Sequence, residues 1–204
     1  MSYNLITAQG FESDNTPFTA SGTMARSTTA PLAGTYSLRG GNGLAVDGHA
    51  TYTLSTTSRP STGSRKGLRI DARFKFARGT ATTPTGGTLE VFTMDGFSDA
   101  ATVIALQIVT ASDKLKFFGT TGATALGTTT HDIRIDYREE RLTSATSGVY
   151  ARVYLDGTLE ITVRAVTGGL TKMLDIILGV GASGKCTWDA RWDDMTVKVA
   201  YDPQ

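Results

Sequence analysis

Residues 149–166 read VYARVYLDGTLEITVRAV, and this stretch decides the fold class. Two runs of β-branched, aliphatic and aromatic residues flank Asp156-Gly157, a dipeptide that tolerates the positive φ angles of a tight turn. The pattern therefore predicts a β-hairpin. Apolar and polar residues alternate along both arms, so each strand is expected to bury one face and expose the other.

The register of this hairpin has two solutions. A two-residue loop pairs Leu155 with Thr158, whereas a three-residue loop, residues 156–158, pairs Leu155 with Leu159. A slip of one residue moves every side chain of a strand to the other face, so the apolar pattern should decide. We favour the three-residue loop, because it places Leu159 and Ile161 on the buried face opposite Leu155 and Val153.

The rest of the chain repeats strand patterns and contains no convincing helical period. Residues 68–76 and 131–138 alternate between an apolar and a charged face, and residues 103–110 are apolar on both faces, which predicts a strand covered on both sides. Segments rich in Gly, Ser and Thr separate these runs. About ten to twelve strands joined by turns predict an all-β fold, with residues 1–204 forming a single two-sheet antiparallel β-sandwich; a barrel is the competing architecture.

Composition excludes several classes of function. The net charge of +1 gives no electrostatic case for a nucleic-acid or membrane partner. Cys186 is the only cysteine, so neither an internal disulfide nor a zinc site with several Cys ligands is possible. The N-terminal residues show no signal-peptide pattern, and no apolar run is long enough to span a bilayer, so folding in a reducing cytoplasm is expected.

Seven short motifs occur along the chain in a characteristic order: Gly10-Phe11-Glu12, Gly34-Thr35-Tyr36-Ser37-Leu38-Arg39, the alternating strand 68–76, His131-Asp132-Ile133-Arg134-Ile135, Val153-Tyr154-Leu155-Asp156-Gly157, Ile177-Leu178-Gly179 and Trp192-Asp193-Asp194-Met195. This order resembles the concanavalin A-like (laminin-G-like) jelly rolls, especially those in structural proteins of tailed bacteriophages. The resemblance covers nearly the whole chain and implies a jelly-roll sandwich. Because the fold hosts lectins, glycanases, adhesion modules and virion proteins, function must be argued from a site.

No catalytic, cofactor or metal residue is predicted. Glycoside hydrolases of this fold place two or three carboxylates on one strand, and that pattern is missing. Asp132 and Asp136 share a strand face with Arg134 between them, which favours an alternating charge ladder. Asp193-Asp194 is the most site-like cluster, yet adjacent strand residues point to opposite faces unless the strand bulges, so a bond to a neighbouring loop is the favoured role.

Aromatic residues are candidates for stacking on sugars, although core packing and cross-strand pairing explain most aromatics in a sandwich. The candidates for a glycan contact are Trp188, Trp192, Tyr150, Tyr154 and Tyr36. They motivate the alternative hypothesis, a carbohydrate-binding (lectin-like) module or a tail-associated adhesion protein.

The resemblance favours a non-enzymatic virion structural protein, a capsid decoration or cement protein that is assembled in the host cytoplasm. Its expected partner is the major capsid protein or another virion protein, bound as a homo-oligomer, with a trimer favoured because it matches local threefold positions of a shell. Residues 1–8 are either an arm or an edge strand, and Tyr3, Leu5 and Ile6 are the candidate capsid contacts. The Thr/Ser/Gly-rich loops 55–66, 79–87 and 119–130 are further candidates.

Overall fold

The computed structural model describes residues 4–40, 48–53, 67–79, 88–96, 103–141, 147–167, 173–180 and 189–201. These residues form fifteen strands and no helix. In chain order the strands are β1 Asn4–Gln9, β2 Thr19–Gly22, β3 Ala25–Ser27, β4 Ser37–Gly40, β5 Gly48–Thr53, β6 Gly67–Arg78, β7 Thr88–Gly96, β8 Val103–Val109, β9 Lys114–Phe117, β10 Thr120–Ala125, β11 His131–Arg141, β12 Ser147–Leu155, β13 Thr158–Thr167, β14 Met173–Val180 and β15 Ala190–Tyr201.

The strands form two antiparallel sheets. Sheet A has the order β13-β12-β11-β6-β15-β4-β3, and β1 pairs with the later part of β15. Sheet B has the order β10-β9-β8-β7-β14-β5-β2. The predicted two-sheet antiparallel sandwich is confirmed. Residues 1–3 lie outside the described residues, and Asn4–Gln9 is an edge strand of sheet A.

The core lies between the sheets because strand alternation sends one face of each inward. In β6, Ile70, Ala72, Phe74 and Phe76 are buried while the charged residues between them face out, as the sequence pattern predicts. The ring of Phe74 from sheet A stacks on Phe92 of sheet B with centroids 5.5 Å apart. Burial of such side chains contributes about 1.5–3 kcal/mol each, and this term holds the two layers together.

The hairpin at Asp156-Gly157 is present, but its loop differs from the prediction. Leu155 pairs with Thr158 and not with Leu159, so the loop has two residues. Asp156 and Gly157 both have positive φ angles, 49° and 79°, which is the geometry of a type I′ turn.

A β-bulge restores the apolar register within this hairpin. Val153 pairs with Ile161 and Tyr154 with Leu159, so Glu160 is the additional residue of β13. Ile161 is therefore buried, at 1% exposure, whereas Leu159 is 50% exposed. The predicted pairing of Val153 with Ile161 is correct, and the predicted burial of Leu159 is wrong because the bulge separates the two residues.

The bulge also aims Glu160 at sheet B. Its Oε2 accepts hydrogen bonds from the backbone N–H groups of Ala123 and Thr124, at 2.9 and 3.1 Å, and its Oε1 accepts one from the Thr124 hydroxyl. The bond from that hydroxyl is the main reason why the pKa of Glu160 is lowered; burial opposes it, and the two backbone bonds add to it. One carboxylate thus links the last strand of sheet A to the last strand of sheet B.

Two further expectations need correction. β8 is an interior strand. Among its described side chains Ile104, Leu106 and Ile108 are buried and the residues between them are partly exposed, so that part of the strand is covered on one side. Residues 119–130 are not a plain loop, since they contain β10. The loops 55–66 and 80–87 lie outside the described residues.

Candidate functional site

The outward face of β12 presents two tyrosines with an arginine between them. Val149, Ala151 and Val153 point into the core, so Tyr150, Arg152 and Tyr154 point out, and both tyrosines are half-buried. The hydroxyls of Tyr154 and Tyr150 accept hydrogen bonds from the Arg152 guanidinium, which raises the pKa of Arg152. This arrangement fixes the aromatic rings and holds a cation in the same row.

The strands on both sides of β12 add two more arginines. Antiparallel pairing sets Arg138 of β11 and Arg164 of β13 opposite Tyr150. The guanidinium of Arg164 lies 5.4 Å and that of Arg152 4.8 Å from the centroid of the Tyr150 ring, which is cation–π distance. We call these five residues, Arg138, Tyr150, Arg152, Tyr154 and Arg164, the tyrosine–arginine face.

An open cleft of about 700 Å³ lies at the Tyr150 end of this face. Arg138, Arg152 and Arg164 line it together with Tyr150 and Gly148. Gly148 is the next outward position of β12 after Tyr150, and it has no side chain to fill the space. The cleft therefore has an aromatic wall and three cationic side chains around it.

The Tyr154 end of the face is bound into an ion-pair network. The guanidinium of Arg134 lies 5.6 Å from the Tyr154 ring and donates two hydrogen bonds to Asp71, at 3.1 and 3.3 Å. The hydrogen bond to Asp71 is the main reason why the pKa of Arg134 is raised. Asp132 pairs with Lys75 and Asp136 pairs with Arg138, so both carboxylates belong to the predicted ladder of alternating charges.

Trp192 is not available to a ligand, which corrects one predicted glycan contact. Its side chain is fully buried, its indole N–H donates to the Val91 carbonyl at 3.0 Å, and its ring meets Phe76 edge-on. Strict alternation along β15 would put Trp192 on the outer face beside Lys198. A bulge between Asp193 and Thr196, where Asp194 has a φ of 45°, turns it inward. Trp188 lies outside the described residues.

The Asp193-Asp194 pair is structural in its contacts. Asp193 is fully buried, and it accepts hydrogen bonds from the Ser37 hydroxyl at 2.7 Å and the backbone N–H of Ala33 at 3.0 Å. Burial raises the pKa of Asp193, and these hydrogen bonds oppose the rise. Asp194 has a separate partner and pairs with Lys75 at 3.3 Å. The two carboxylates therefore do not converge on one substrate atom.

His131 lies in a satisfied structural setting. It is nearly buried, its Nδ1 is 2.7 Å from Asp156, and its Nε2 is 2.6 Å from the carbonyl of Leu126. Burial acts to raise the pKa of Asp156, but hydrogen bonds from His131 and from the backbone of Asp132 outweigh it, so that this pKa is lowered. Within the ranges given above, no group of three His, Cys, Asp or Glu side chains is placed to hold a metal ion.

The candidate capsid contacts fall on the edge of sheet A. Leu5 is 58% exposed and pairs with Lys198, so it shares the outer face of the sheet. Ile6 belongs to β1 at the point where the register shifts, and Tyr3 lies outside the described residues. The described residues also include no helix of the length and apolar character that crossing a membrane requires.

Of the five residues of the tyrosine–arginine face, only Tyr150 and Tyr154 were predicted as ligand contacts from the sequence; Arg138 and Arg164 were not. The signal was present, because both arginines are outward positions in alternating strands. Their convergence on Tyr150 depends on the register of three strands, and this register cannot be read from one strand alone.

Comparison with solved structures identifies the class of fold. The winged bean acidic lectin complexed with methyl-α-D-galactose matches with a TM-score of 0.60 and 10% identity over 99% of both chains. The PL-14 alginate lyase of the marine Aplysia kurodai matches with a TM-score of 0.55 and 10% identity, over 98% of this chain and 100% of that one. A structure of botulinum neurotoxin type C matches with a TM-score of 0.57 and 8% identity. The match covers 96% of this chain and 47% of the toxin chain.

The chain therefore has a concanavalin A-like jelly-roll fold, as the motif order implied. Proteins of this fold include legume lectins and a toxin, and also a lyase, so the fold by itself leaves the activity open. No protein-family model matches the sequence, and no curated protein matches it significantly. The phage origin stays a prediction.

Proposed function

We propose that the chain is a non-enzymatic carbohydrate-binding module that binds its ligand on the tyrosine–arginine face. The observation that carries the proposal is the pair of half-exposed tyrosines, Tyr150 and Tyr154, in one row beside an open cleft. A pyranose ring offers apolar C–H faces that pack on aromatic rings, while its hydroxyls need hydrogen-bonding partners. The face supplies both kinds of contact.

The comparisons support this proposal in preference to the virion hypothesis. A lectin with the same fold has been crystallised with methyl-α-D-galactose, and the match covers nearly all of both chains. The absence of converging carboxylates at Asp132, Asp136, Asp193 and Asp194, with the contacts described above, supports a binding role over a hydrolytic one.

Binding on a glycan array, followed by calorimetry, tests the proposal. Tyr150→Ala should weaken binding to the selected glycan by about tenfold or more, because it removes the aromatic ring that packs on the sugar. That contact contributes about 1–2 kcal/mol to the binding free energy. Tyr36→Ala is the matched control, because Tyr36 also has an arginine over its ring, Arg26 at 3.9 Å. Tyr36 lies beside β4, which is four strand spacings, or roughly 19 Å, from β12. Absence of binding to every glycan on the array, or equal losses in both variants, would overturn the proposal.

A capsid decoration protein is the second candidate function, with the major capsid protein as partner and the virion as location. Besides the motif order, one feature of the fold favours it: Leu5 is a large apolar side chain, 58% exposed on an edge strand. Leu5→Lys should leave the fold intact and abolish sedimentation of the protein with undecorated phage capsids. Failure of the wild-type protein to bind such capsids would remove this candidate.

A further inference from the structure

We propose that the glycan bound by the tyrosine–arginine face is acidic, carrying carboxylate or sulfate groups. This inference rests on the proposed function and specifies its ligand class. Its basis is the placement of charge on the outer face of sheet A, which differs from that of the molecule as a whole.

The outer face of sheet A concentrates positive charge. Among the described side chains of β6, β11, β12, β13 and the part of β15 from Asp194 onward, strand alternation and register place eight basic and four acidic residues there: Arg69, Arg73, Lys75, Arg134, Arg138, Arg152, Arg164 and Lys198, against Asp71, Asp132, Asp136 and Asp194. The excess of four positive charges exceeds the net charge of the whole chain, +1, so the remainder of the chain is net acidic. Such segregation favours an anionic ligand on this face.

Within the face, the four carboxylates are unevenly distributed. Asp71 and Asp132 pair with arginine or lysine toward the β6 side, where they neutralise much of the basic charge. Asp136 pairs with Arg138 at 3.5 Å, whereas in the part of the chain that the structure describes no carboxylate lies within ion-pair distance of Arg152 or Arg164. The uncompensated charge is therefore located at the cleft beside Tyr150.

The cleft arginines are suited to recognise a planar or tetrahedral anion. A guanidinium can donate two parallel hydrogen bonds to a carboxylate or sulfate. Arg138 and Arg164 flank Tyr150 from the two neighbouring strands, and the Arg138 side chain is 44% exposed. A sugar ring stacked on Tyr150 would thus have its acidic substituent within reach of an arginine on either side.

A sugar polymer fits these observations better than a nucleic acid. Asp71, Asp132 and Asp136 lie among the basic residues, where they would repel a continuous phosphate backbone, whereas the exposed Asp132 carboxylate can accept hydrogen bonds from sugar hydroxyls. The recurring unit expected is therefore one with isolated acidic groups between neutral hydroxyls.

Polygalacturonate oligomers and their fully methyl-esterified forms give a direct test, because esterification removes the negative charge of the carboxyl group and leaves the sugar chain unchanged. Dextran sulfate and dextran form a second pair that separates sulfate from carboxylate recognition. Calorimetry at low and at physiological salt should show binding to at least one anionic member, with at least tenfold weaker binding to its neutral partner and weakening by salt. Short duplex DNA is the competing polyanion.

Arg152→Gln and Arg164→Gln should each reduce affinity for the anionic glycan by about tenfold, since each removes a charge-assisted hydrogen bond. Lys116→Gln, an outward residue of β9 in sheet B, is the matched control and should have no effect. Equal affinity for neutral and anionic partners with unchanged binding in the arginine variants would overturn this inference and leave the carbohydrate-binding proposal standing. DNA binding as tight as glycan binding would also overturn it. Failure to bind any of the glycans, charged or neutral, together with an empty glycan array would overturn both proposals.

Discussion

The bulge at Glu160 makes a sharp prediction about two aliphatic residues of β13. Ile161 is 1% exposed and Leu159 is 50% exposed, although only one residue separates them. Replacing Ile161 by Asp loses about 1.5–3 kcal/mol of apolar burial and adds at least about 2 kcal/mol for burying an unpaired polar group. The expected total, about 3.5–5 kcal/mol, is a large part of the 5–15 kcal/mol that typically stabilises a folded domain.

Leu159→Asp is the matched control, because it makes the same chemical change in the same strand. Its side chain already reaches solvent, so the free energy of unfolding should fall by about 1 kcal/mol or less. Urea unfolding followed by far-ultraviolet circular dichroism measures both variants. With a slope of about 2–3 kcal/mol per molar urea, Ile161→Asp should lower the midpoint by roughly 1.2–2.5 M.

Two other outcomes would contradict this assignment of the hairpin. Under a three-residue loop without a bulge, Leu159 and Ile161 would face the core together, and both variants would unfold at similar urea concentrations. An Ile161→Asp protein with the wild-type midpoint would show that this face of the hairpin is not buried at all.

Three other predictions concern pH, metal and assembly. The folded-state pKa of Glu160 lies below its ordinary value of 4.5, so the contribution of this carboxylate to stability is complete above pH 4.5 and is lost as the pH falls through the folded-state pKa. Between neutral and acidic pH, the melting temperature of the Glu160→Gln variant should therefore fall less than that of the wild type. Chelation by EDTA should leave the melting temperature unchanged, and a drop of several degrees would point to a structural metal. Sedimentation equilibrium should give three times the 21.6 kDa chain mass if the expected trimer forms, and a mass independent of concentration at one chain would exclude it.

Regular strands were predictable, because their pattern depends only on which face meets the core. Residues 68–76 are an example, since every second side chain is apolar and the structure buries Ile70, Ala72, Phe74 and Phe76. The hairpin turn was predictable in position from Asp156-Gly157 but not in length. The bulge at Glu160 is stabilised by backbone groups of β10, which lie more than thirty residues earlier in the chain, so no local pattern reveals it.

In the candidate site, too, residues of regular strands were predictable from the sequence, whereas the effect of a bulge was not. Tyr150 and Tyr154 were found from alternation, since β12 is regular along its whole length. Trp192 was misjudged because the bulge at Asp194 shifts the parity of β15, and a positive φ at a non-glycine residue leaves no clear sequence signal. Arg138 and Arg164 become part of a site only when three strands are aligned.

The link made by Glu160 has a consequence for self-association. β10 and β13 are the terminal strands of their sheets, and a terminal strand offers unpaired backbone groups to which another chain can add. The Glu160 carboxylate occupies two of the backbone donors of β10, those of Ala123 and Thr124, and places a charged residue where an incoming strand would have to lie. The same side chain that joins the two sheets therefore protects this side of the sandwich from edge-to-edge aggregation.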